Sequence, residues 1–118
     1  MQRLKLRRDF LAAARGKSCA LPGVVVQIRA RGDNDAARIG FTVTKKLGNA
    51  VIRNRIRRRL RAAASQALPG LARDGHDYVL IGRQATITRD FGALKGDLHS
   101  AFERFHRDAD SRGDTEHS

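Results

Sequence analysis

The stretch that decides the fold covers residues 45–61 and reads Lys45-Lys46-Leu47-Gly48-Asn49-Ala50-Val51-Ile52-Arg53-Asn54-Arg55-Ile56-Arg57-Arg58-Arg59-Leu60-Arg61. It leads into a predicted helix of about 18 residues that ends before Pro69-Gly70. At roughly 100° per residue, one stripe of this helix is apolar and contains Ile52, Ile56, Leu60, Ala63 and Ala67. The rest of its surface is mostly arginine, so the helix is expected to bury one side and present cations on the other.

Two strands are predicted before this helix. Gly23–Arg31 is rich in valine, and Arg38–Thr44 alternates between apolar and polar residues. Residues 32–35, between them, have the composition of a tight turn. We therefore expect the two strands to pair as a hairpin.

The remaining elements complete an α-β-β-α-β-α order. A short helix is predicted at Asp9–Arg15, a buried strand at Asp77–Arg83 and an amphipathic helix at Asp90–Arg107. A strand, a long helix and another strand indicate a crossover with at least one parallel pair. The expected fold class is α+β, an α/β sandwich with a small mixed sheet of about four strands and helices packed mainly on one side.

The chain is long enough for one domain. Its 118 residues predict a single α/β domain over residues 1–107, followed by a disordered polar tail over residues 108–118.

The positive charge is concentrated in one third of the chain. The formal net charge is +12, from 24 basic and 12 acidic residues. Residues 36–73 contain no acid and ten of the basic residues, namely Arg38, Lys45, Lys46, Arg53, Arg55, Arg57, Arg58, Arg59, Arg61 and Arg73. A charge distribution this uneven indicates one face directed at a polyanion.

Several classes of protein are disfavoured. No apolar run approaches the roughly 20 residues of a membrane span, and the single Cys19 excludes an internal disulfide framework and a multi-cysteine zinc site. We expect a cytoplasmic protein with no membrane association.

The acids are scattered and the four histidines lack metal-ligand spacing, so no catalytic residue, metal site or protein-bound cofactor is predicted. His99 and His106 are expected on the surface of the last helix.

The arginine helix has three possible interpretations. A solvated face would carry interleaved glutamates for i,i+4 pairs, and residues 36–73 contain none. The basic region of a DNA-binding zipper would continue into heptads, whereas Pro69-Gly70 ends this helix. A helix that binds structured RNA from a compact domain fits best, because arginine offers a planar fork to phosphate.

Residues 45–61 resemble the signature of the bacterial ribonuclease P protein component, with paired lysines, Gly48, Ala50 and then Arg53-Asn54-Arg55. The resemblance extends to the Arg38–Thr44 strand, the helix that begins at Asp9-Phe10 and the Asp77–Ile81 strand. It implies an α/β sandwich with a left-handed β-α-β crossover, although right-handed crossovers are the general rule.

The resemblance also implies a role. Such a protein is the subunit of a ribonucleoprotein, an endoribonuclease, that removes the 5′ leader from precursor tRNA. The RNA subunit carries out the hydrolysis with bound Mg²⁺, and the protein binds both that RNA and the leader. We accordingly expect ribonuclease P RNA and precursor tRNA as partners, no DNA, and a monomer in a complex of one RNA and one protein.

Two sets of site residues follow from the resemblance. The set expected to bind the RNA subunit is Lys45, Lys46, Arg53, Asn54, Arg55, Arg57, Arg58 and Arg61. Arg59 lies closest to the apolar stripe and is expected to cover the core with its methylenes. The set expected to line the leader cleft is Phe10, Arg15, Gln27 and Arg29.

The role of Phe10 stays open between stacking on a leader base and anchoring its helix on the core. Related proteins often carry further aromatics where this chain has Ala13-Ala14 and Gln27, so contact by hydrogen bonds and charge is expected there. Phe41, like the aromatic residues of the last helix, is expected in the core.

The alternative function is that of a structural RNA-binding protein, such as a small ribosomal protein. Size and charge suit it equally well, and the extended match around Arg53-Asn54-Arg55 argues against it. A free-standing protein nuclease is disfavoured by the lack of catalytic acids, and a DNA-binding regulator by the lack of a dimerisation element.

Overall fold

A computed structural model describes the backbone of residues 2–117 and the side chains of residues 2–107. Within that range the strands are β1 (Gln2–Arg3), β2 (Lys17–Ala20), β3 (Val24–Ala30), β4 (Arg38–Thr42) and β5 (His76–Gly82). The helices are α1 (Arg7–Ala14), α2 (Ala50–Ala67), α3 (Ala85–Thr88) and α4 (Phe91–His117). A 3₁₀ turn, Lys45–Leu47, precedes α2.

The strands form one mixed sheet in the order β1-β4-β5-β3-β2. β4 is parallel to both β1 and β5, whereas β3 is antiparallel to both β5 and β2. The predicted crossover is confirmed, because α2 joins the parallel neighbours β4 and β5. The sheet has five strands rather than about four. β1 has only two residues and β2 buries only Cys19, so neither gives a clear apolar pattern.

The predicted hairpin between Gly23–Arg31 and Arg38–Thr44 is wrong. β5 lies between β3 and β4 and pairs with both, so that Leu80 is opposite Val26 on one side and Phe41 on the other. β5 takes the central position because it is apolar on both faces, with Tyr78 and Leu80 buried on one and Val79 on the other. The hairpin of the structure joins β2 to β3.

The main core lies between the sheet and the two long helices. Buried side chains of β3 and β5 pack against α2 and α4 there. Ile56, Leu60 and Ala63 of α2 are fully buried, and Ile52 and Ala67 pack at the edge of the same core. The apolar stripe predicted for α2 is therefore confirmed, and it fixes which side of this helix faces solvent.

The opposite face of the sheet carries the short helix α1 and a smaller core. Leu4, Ala13 and Val79 are buried there, with Phe10 and Ile81 packed against them. Because α1 has only eight residues, it covers part of the face. Neighbouring side chains such as Gln27 and Thr42 are left half-buried, and this forms an open cleft beside α1.

The predicted disordered tail, residues 108–118, lies outside the residues whose side chains the structure describes, and it stays a prediction. Across residues 2–117, no helix has the length and apolar character needed to cross a membrane.

Candidate nucleic-acid interface

The residues before α2 set where the helix begins. Gly48 has φ +145°, and a Cβ placed on it would lie 3.0 Å from Ile52 side-chain atoms, so glycine is favoured at this position. Asn49 is the N-cap, and its Oδ1 accepts a hydrogen bond of 3.0 Å from the Ile52 N–H. The Gly-Asn pair thereby starts the helix immediately after the two lysines of the 3₁₀ turn.

The solvent side of α2 and its leading turn form a cationic surface, which we call the α2 surface. It consists of Lys45, Lys46, Arg53, Asn54, Arg55, Arg57, Arg58 and Arg61, the set predicted to bind RNA. All of these are exposed except Arg53 and Arg57, which are half-buried. Among the side chains of residues 2–107, no acid forms an ion pair with any arginine of α2.

Within the α2 surface, Arg57 donates a hydrogen bond of 3.2 Å to Oδ1 of Asn54. This holds one guanidinium beside a neutral amide whose N–H₂ group stays available to an acceptor. The surface therefore offers cations and hydrogen-bond donors at helical spacing. This is the chemistry of a phosphate-binding surface.

Arg59 points away from the α2 surface. It is half-buried, it donates to the carbonyl of Arg89, and its guanidinium lies 5.8 Å from the centroid of the Phe91 ring. Its side chain thus covers the edge of the core, in agreement with the prediction.

The cleft beside α1 contains three of the four residues predicted to contact the leader. Phe10 lies on Gly40 so closely that a Cβ on that glycine would be 2.5 Å from Cε1 of the ring. Gln27 is in register with Val79, which in turn pairs with Gly40, so these residues share one face of the sheet. Arg29 lies on the same face, and Arg15 is fully exposed just after the end of α1.

Arg29 is already engaged in an ion-pair network that fixes α1 to the sheet. Its NH1 lies 3.8 Å from Asp9 of α1 and 3.7 Å from Asp77 of β5. Arg38 contacts the same two carboxylates, at 3.3 Å for Asp9 and 2.8 Å for Asp77. The two acids lie 68 residues apart in the chain, so their meeting could not be predicted from local sequence patterns.

Arg31 is the third arginine that contacts Asp77 in this network. It donates to Asp77 at 2.5 Å and to Asp33 at 3.0 Å, and it also binds the carbonyls of Asp35 and Ala36. Burial alone would raise the pKa of Asp77, but hydrogen bonds from Arg38 and Arg31 hold that pKa below its ordinary value. The Arg31 hydrogen bond likewise lowers the pKa of Asp33. These acids are ionised partners of arginine, and they lack the raised pKa of a general acid.

The histidines differ from expectation in one case. His99 is exposed as predicted, but His106 is buried, and its Nε2 lies 2.7 Å from the Tyr78 hydroxyl. The surface prediction for His106 was wrong because α4 presents this side chain to β5. Among the side chains of residues 2–107, no group of three or more His, Cys, Asp or Glu comes together in a way that suits a metal ion.

Comparison with known proteins identifies the family. The family model described as Ribonuclease P matches residues 1–106. The chain belongs to the ribonuclease P protein family. A "Ribonuclease P protein component" from Gluconacetobacter diazotrophicus is 52% identical over 103 residues, covering 86% of this chain and 89% of that protein. A protein of the same description from Ruegeria pomeroyi is 48% identical over 106 residues, covering 87% and 85%.

Solved structures of the ribonuclease P protein family share the fold. The RNase P protein from Thermotoga maritima matches with a TM-score of 0.72 and 33% identity, covering 88% of this chain and 97% of that one. The Staphylococcus aureus RNase P protein matches with a TM-score of 0.71 and 29% identity, covering 87% and 94%. The predicted α+β fold class is therefore confirmed as that of the ribonuclease P proteins.

Proposed function

We propose that this chain is the protein subunit of ribonuclease P, which binds the catalytic RNA subunit through the α2 surface and contacts the 5′ leader of precursor tRNA. The complex removes the leader endonucleolytically and forms the mature 5′ end. The observation that carries the proposal is a row of arginines on α2 without acidic partners among residues 2–107, in a chain of this family. One protein is expected per RNA.

The contribution of the protein is electrostatic. RNA subunit and precursor tRNA are both polyanions, so their approach is opposed by phosphate repulsion. Arginines placed between them reduce this repulsion and release counterions on binding. Mg²⁺, held by the RNA subunit, supplies the hydrolytic chemistry. The residues of this chain bind and position RNA.

The leader is proposed to lie in the cleft beside α1. Phe10 is half-buried, so it packs on Gly40 and still offers part of its ring. Gln27 supplies a neutral amide, and Arg15 supplies a guanidinium free to reach a phosphate. Arg29 is 35% exposed at its side chain and is held by Asp9 and Asp77, so it presents a fixed charge to the cleft.

Reconstitution tests the proposal directly. The full chain is mixed with a bacterial ribonuclease P RNA at low Mg²⁺, and 5′ processing of a precursor tRNA is measured. We expect strong stimulation over the RNA alone, and a smaller stimulation at high salt and high Mg²⁺. Absence of stimulation at low Mg²⁺ would overturn the proposal, as would cleavage of precursor tRNA by the protein alone.

The α2 surface is tested by salt dependence. Arg58→Ala removes an exposed cation of α2, and affinity for the RNA subunit should then fall less steeply with salt, by roughly 0.7 to 0.9 in the log–log slope. Arg107→Ala is the matched control, since it removes one exposed arginine on α4 that pairs with Glu103. Equal salt slopes for Arg58→Ala and Arg107→Ala would show that the RNA subunit does not bind at the α2 surface.

The leader cleft is tested with Phe10→Leu, which keeps an apolar side chain on Gly40. Affinity for precursor tRNA should fall by about 5-fold or more if the ring stacks on a base, with affinity for mature tRNA unchanged. An unchanged precursor affinity would leave Phe10 as an anchor of α1 alone.

A further inference from the structure

Two guanidinium groups converge on one aromatic ring at the edge of the sheet. The Cζ of Arg3, in β1, lies 5.4 Å from the centroid of the Phe41 ring, and that of Arg61, in α2, lies 5.9 Å from it. Arg3 and Arg61 are both exposed, and Phe41 is half-buried. The sequence predicts Phe41 in the core, and neither Phe41 nor Arg3 belongs to the predicted site.

The two cations lack partners of their own. Among the side chains of residues 2–107, neither Arg3 nor Arg61 forms a hydrogen bond or an ion pair. A second ring, Phe91, is also flanked by two cations, Arg59 and Lys95. There, however, Arg59 donates to the Arg89 carbonyl and Lys95 to Oε1 of Gln66 at 3.1 Å. The cations at Phe91 are engaged by other groups of the protein, whereas those at Phe41 have, within residues 2–107, contact only with the ring.

The ring and the two arginines border an open groove between β1 and α2. The groove has a volume of about 230 Å³ and is lined by Arg3, Ile39, Phe41, Arg61, Ala64 and Ser65. Its floor is apolar, its rim is cationic, and Ser65 adds a hydroxyl. Because β1 is the edge strand of the sheet, the groove opens to solvent along its length.

We propose that this groove binds one unstacked nucleotide of single-stranded RNA. The base stacks on the Phe41 ring and on a guanidinium plane, while Arg3 and Arg61 bind the adjoining phosphates. The phosphates offset the repulsion between the two cations. The proposal rests on the proposed function, which it deepens by adding a contact outside the predicted site, formed by β1 and β4 together with Arg61.

The combination of features favours a nucleotide over other anions. An acidic peptide would satisfy the guanidiniums but gain little from the half-buried Phe41 ring. A free phosphate would leave the apolar floor in contact with water. Only a ligand with both a flat apolar face and an anionic group uses every surface of the groove, and nucleotides have that chemistry.

The phosphate contact is tested with full-length protein and matched variants. Arg3→Ala should reduce the log–log salt slope of RNA binding by roughly 0.7, the value for one contact to a single strand. Lys95→Ala, which removes the cation beside Phe91, should leave the slope unchanged. If Arg3→Ala binds RNA with the same salt slope as the parent while Arg58→Ala has a reduced slope, nucleotide binding in the groove is overturned and the proposed function stands. If neither variant is impaired, both fail.

The stacking contact is tested with a uridine pentanucleotide and a matched abasic oligomer. The parent should prefer the oligomer with bases by about 5-fold or more, and Phe41→Leu should reduce that preference, with Phe91→Leu as the control. An undiminished preference in Phe41→Leu overturns stacking at this ring. Arg3 is exposed on an edge strand, so Arg3→Ala tests the groove even if Phe41→Leu impairs folding.

The source of the nucleotide is found by comparing three RNAs. Loss of affinity in Arg3→Ala for the isolated ribonuclease P RNA assigns the nucleotide to the RNA subunit. Loss for precursor tRNA but not for mature tRNA assigns it to the leader. Either result supports the groove. Unchanged affinity for all three RNAs overturns it.

Discussion

Arg38 donates two parallel hydrogen bonds to Asp77, from Nε to Oδ1 and from NH2 to Oδ2, and each is 2.8 Å long. The two residues face each other in the register of β4 and β5, the parallel strands that α2 connects. The side chain of Asp77 is completely buried, so these bonds replace its hydration. The pair joins Arg38, in the acid-free segment 36–73, to β5 at the centre of the sheet.

Asp77→Asn should destabilise the fold strongly. The amide cannot neutralise Arg38 and Arg31, so Arg38 would lose its bidentate partner and Arg31 one of its two carboxylate partners. Breaking a buried pair in this way typically costs 3 to 5 kcal/mol, measured here as the free energy of unfolding in urea. Asp74→Asn, at an exposed position, is the matched control and should change it by less than about 0.5 kcal/mol. A similar small change in Asp77→Asn would contradict the role of the pair.

Acid should destabilise the protein through the same carboxylates. Arginine hydrogen bonds hold the pKa values of Asp77 and Asp33 below the ordinary value, which is near 3.9 in an unfolded chain. Their ionisation therefore stabilises the fold fully above that pH, and the stabilisation is lost as pH falls through the folded-state pKa values. We expect the urea midpoint to drop below about pH 4, with a shallower drop in Asp33→Asn. If the urea midpoint falls with pH equally in Asp33→Asn and in the parent, Asp33 does not contribute to the acid sensitivity.

Gly40→Ala should displace α1. A Cβ at Gly40 would lie 2.5 Å and 2.6 Å from two atoms of the Phe10 ring, so the helix must move or the ring must rotate. Overpacking of this kind costs about 1 to 3 kcal/mol, and Phe10→Leu in the same chain should recover part of it. Gly96→Ala, with no atom within 4 Å of the added Cβ, is the control. Additive effects of Gly40→Ala and Phe10→Leu would show that the two positions do not interact.

Tyr78→Phe should weaken the packing of α4 on the sheet. The hydroxyl lies 2.7 Å from His106 and accepts a hydrogen bond of 3.0 Å from the Arg73 N–H. Its loss removes both of these contacts, one of them to a buried imidazole, which costs about 1 to 3 kcal/mol. The ring itself, stacked on Phe102 at 4.3 Å, is kept by the substitution. Thermal unfolding measures the effect, and an unchanged Tm would show that these groups find other partners.

Asn49→Ala should destabilise α2 by about 1 kcal/mol, since it removes the side-chain acceptor of the Ile52 N–H. Asn49→Asp retains that acceptor and should preserve stability. Urea unfolding distinguishes the two variants, and equal stability of both would contradict a capping role.

What the sequence predicts well in this protein is local. The apolar stripe of α2 repeats at helical spacing within 18 residues, so the buried side of the helix and its cationic side both follow from the pattern. Phe10 of α1 and Gln27 of β3 are placed together only by the family resemblance, because the packing of α1 on that face of the sheet is a contact between distant segments.

What it predicts poorly depends on contacts between distant segments. Residues 32–35 do have the composition of a turn. However, Arg31 binds both Asp33 of this turn and Asp77 of β5. β5 lies between β3 and β4, the two strands that this turn connects. Nothing in the alternation of two strands tells whether a third one separates them. Phe41 packs against the main core as predicted, but the approach of Arg3 and Arg61 to its ring does not follow from the pattern, since these two arginines come from opposite sides of the sequence.

The central position of β5 has a consequence for the order in which the protein forms during synthesis. The first 75 residues include four of the five strands and all of α2, but β1 and β4 cannot join β2 and β3 before His76–Gly82 leaves the ribosome. Until then the apolar stripe of α2 has no complete sheet to pack against. Sheet completion and helix docking are therefore late, nearly simultaneous events, and a chain that stops before Gly82 is left without a fold.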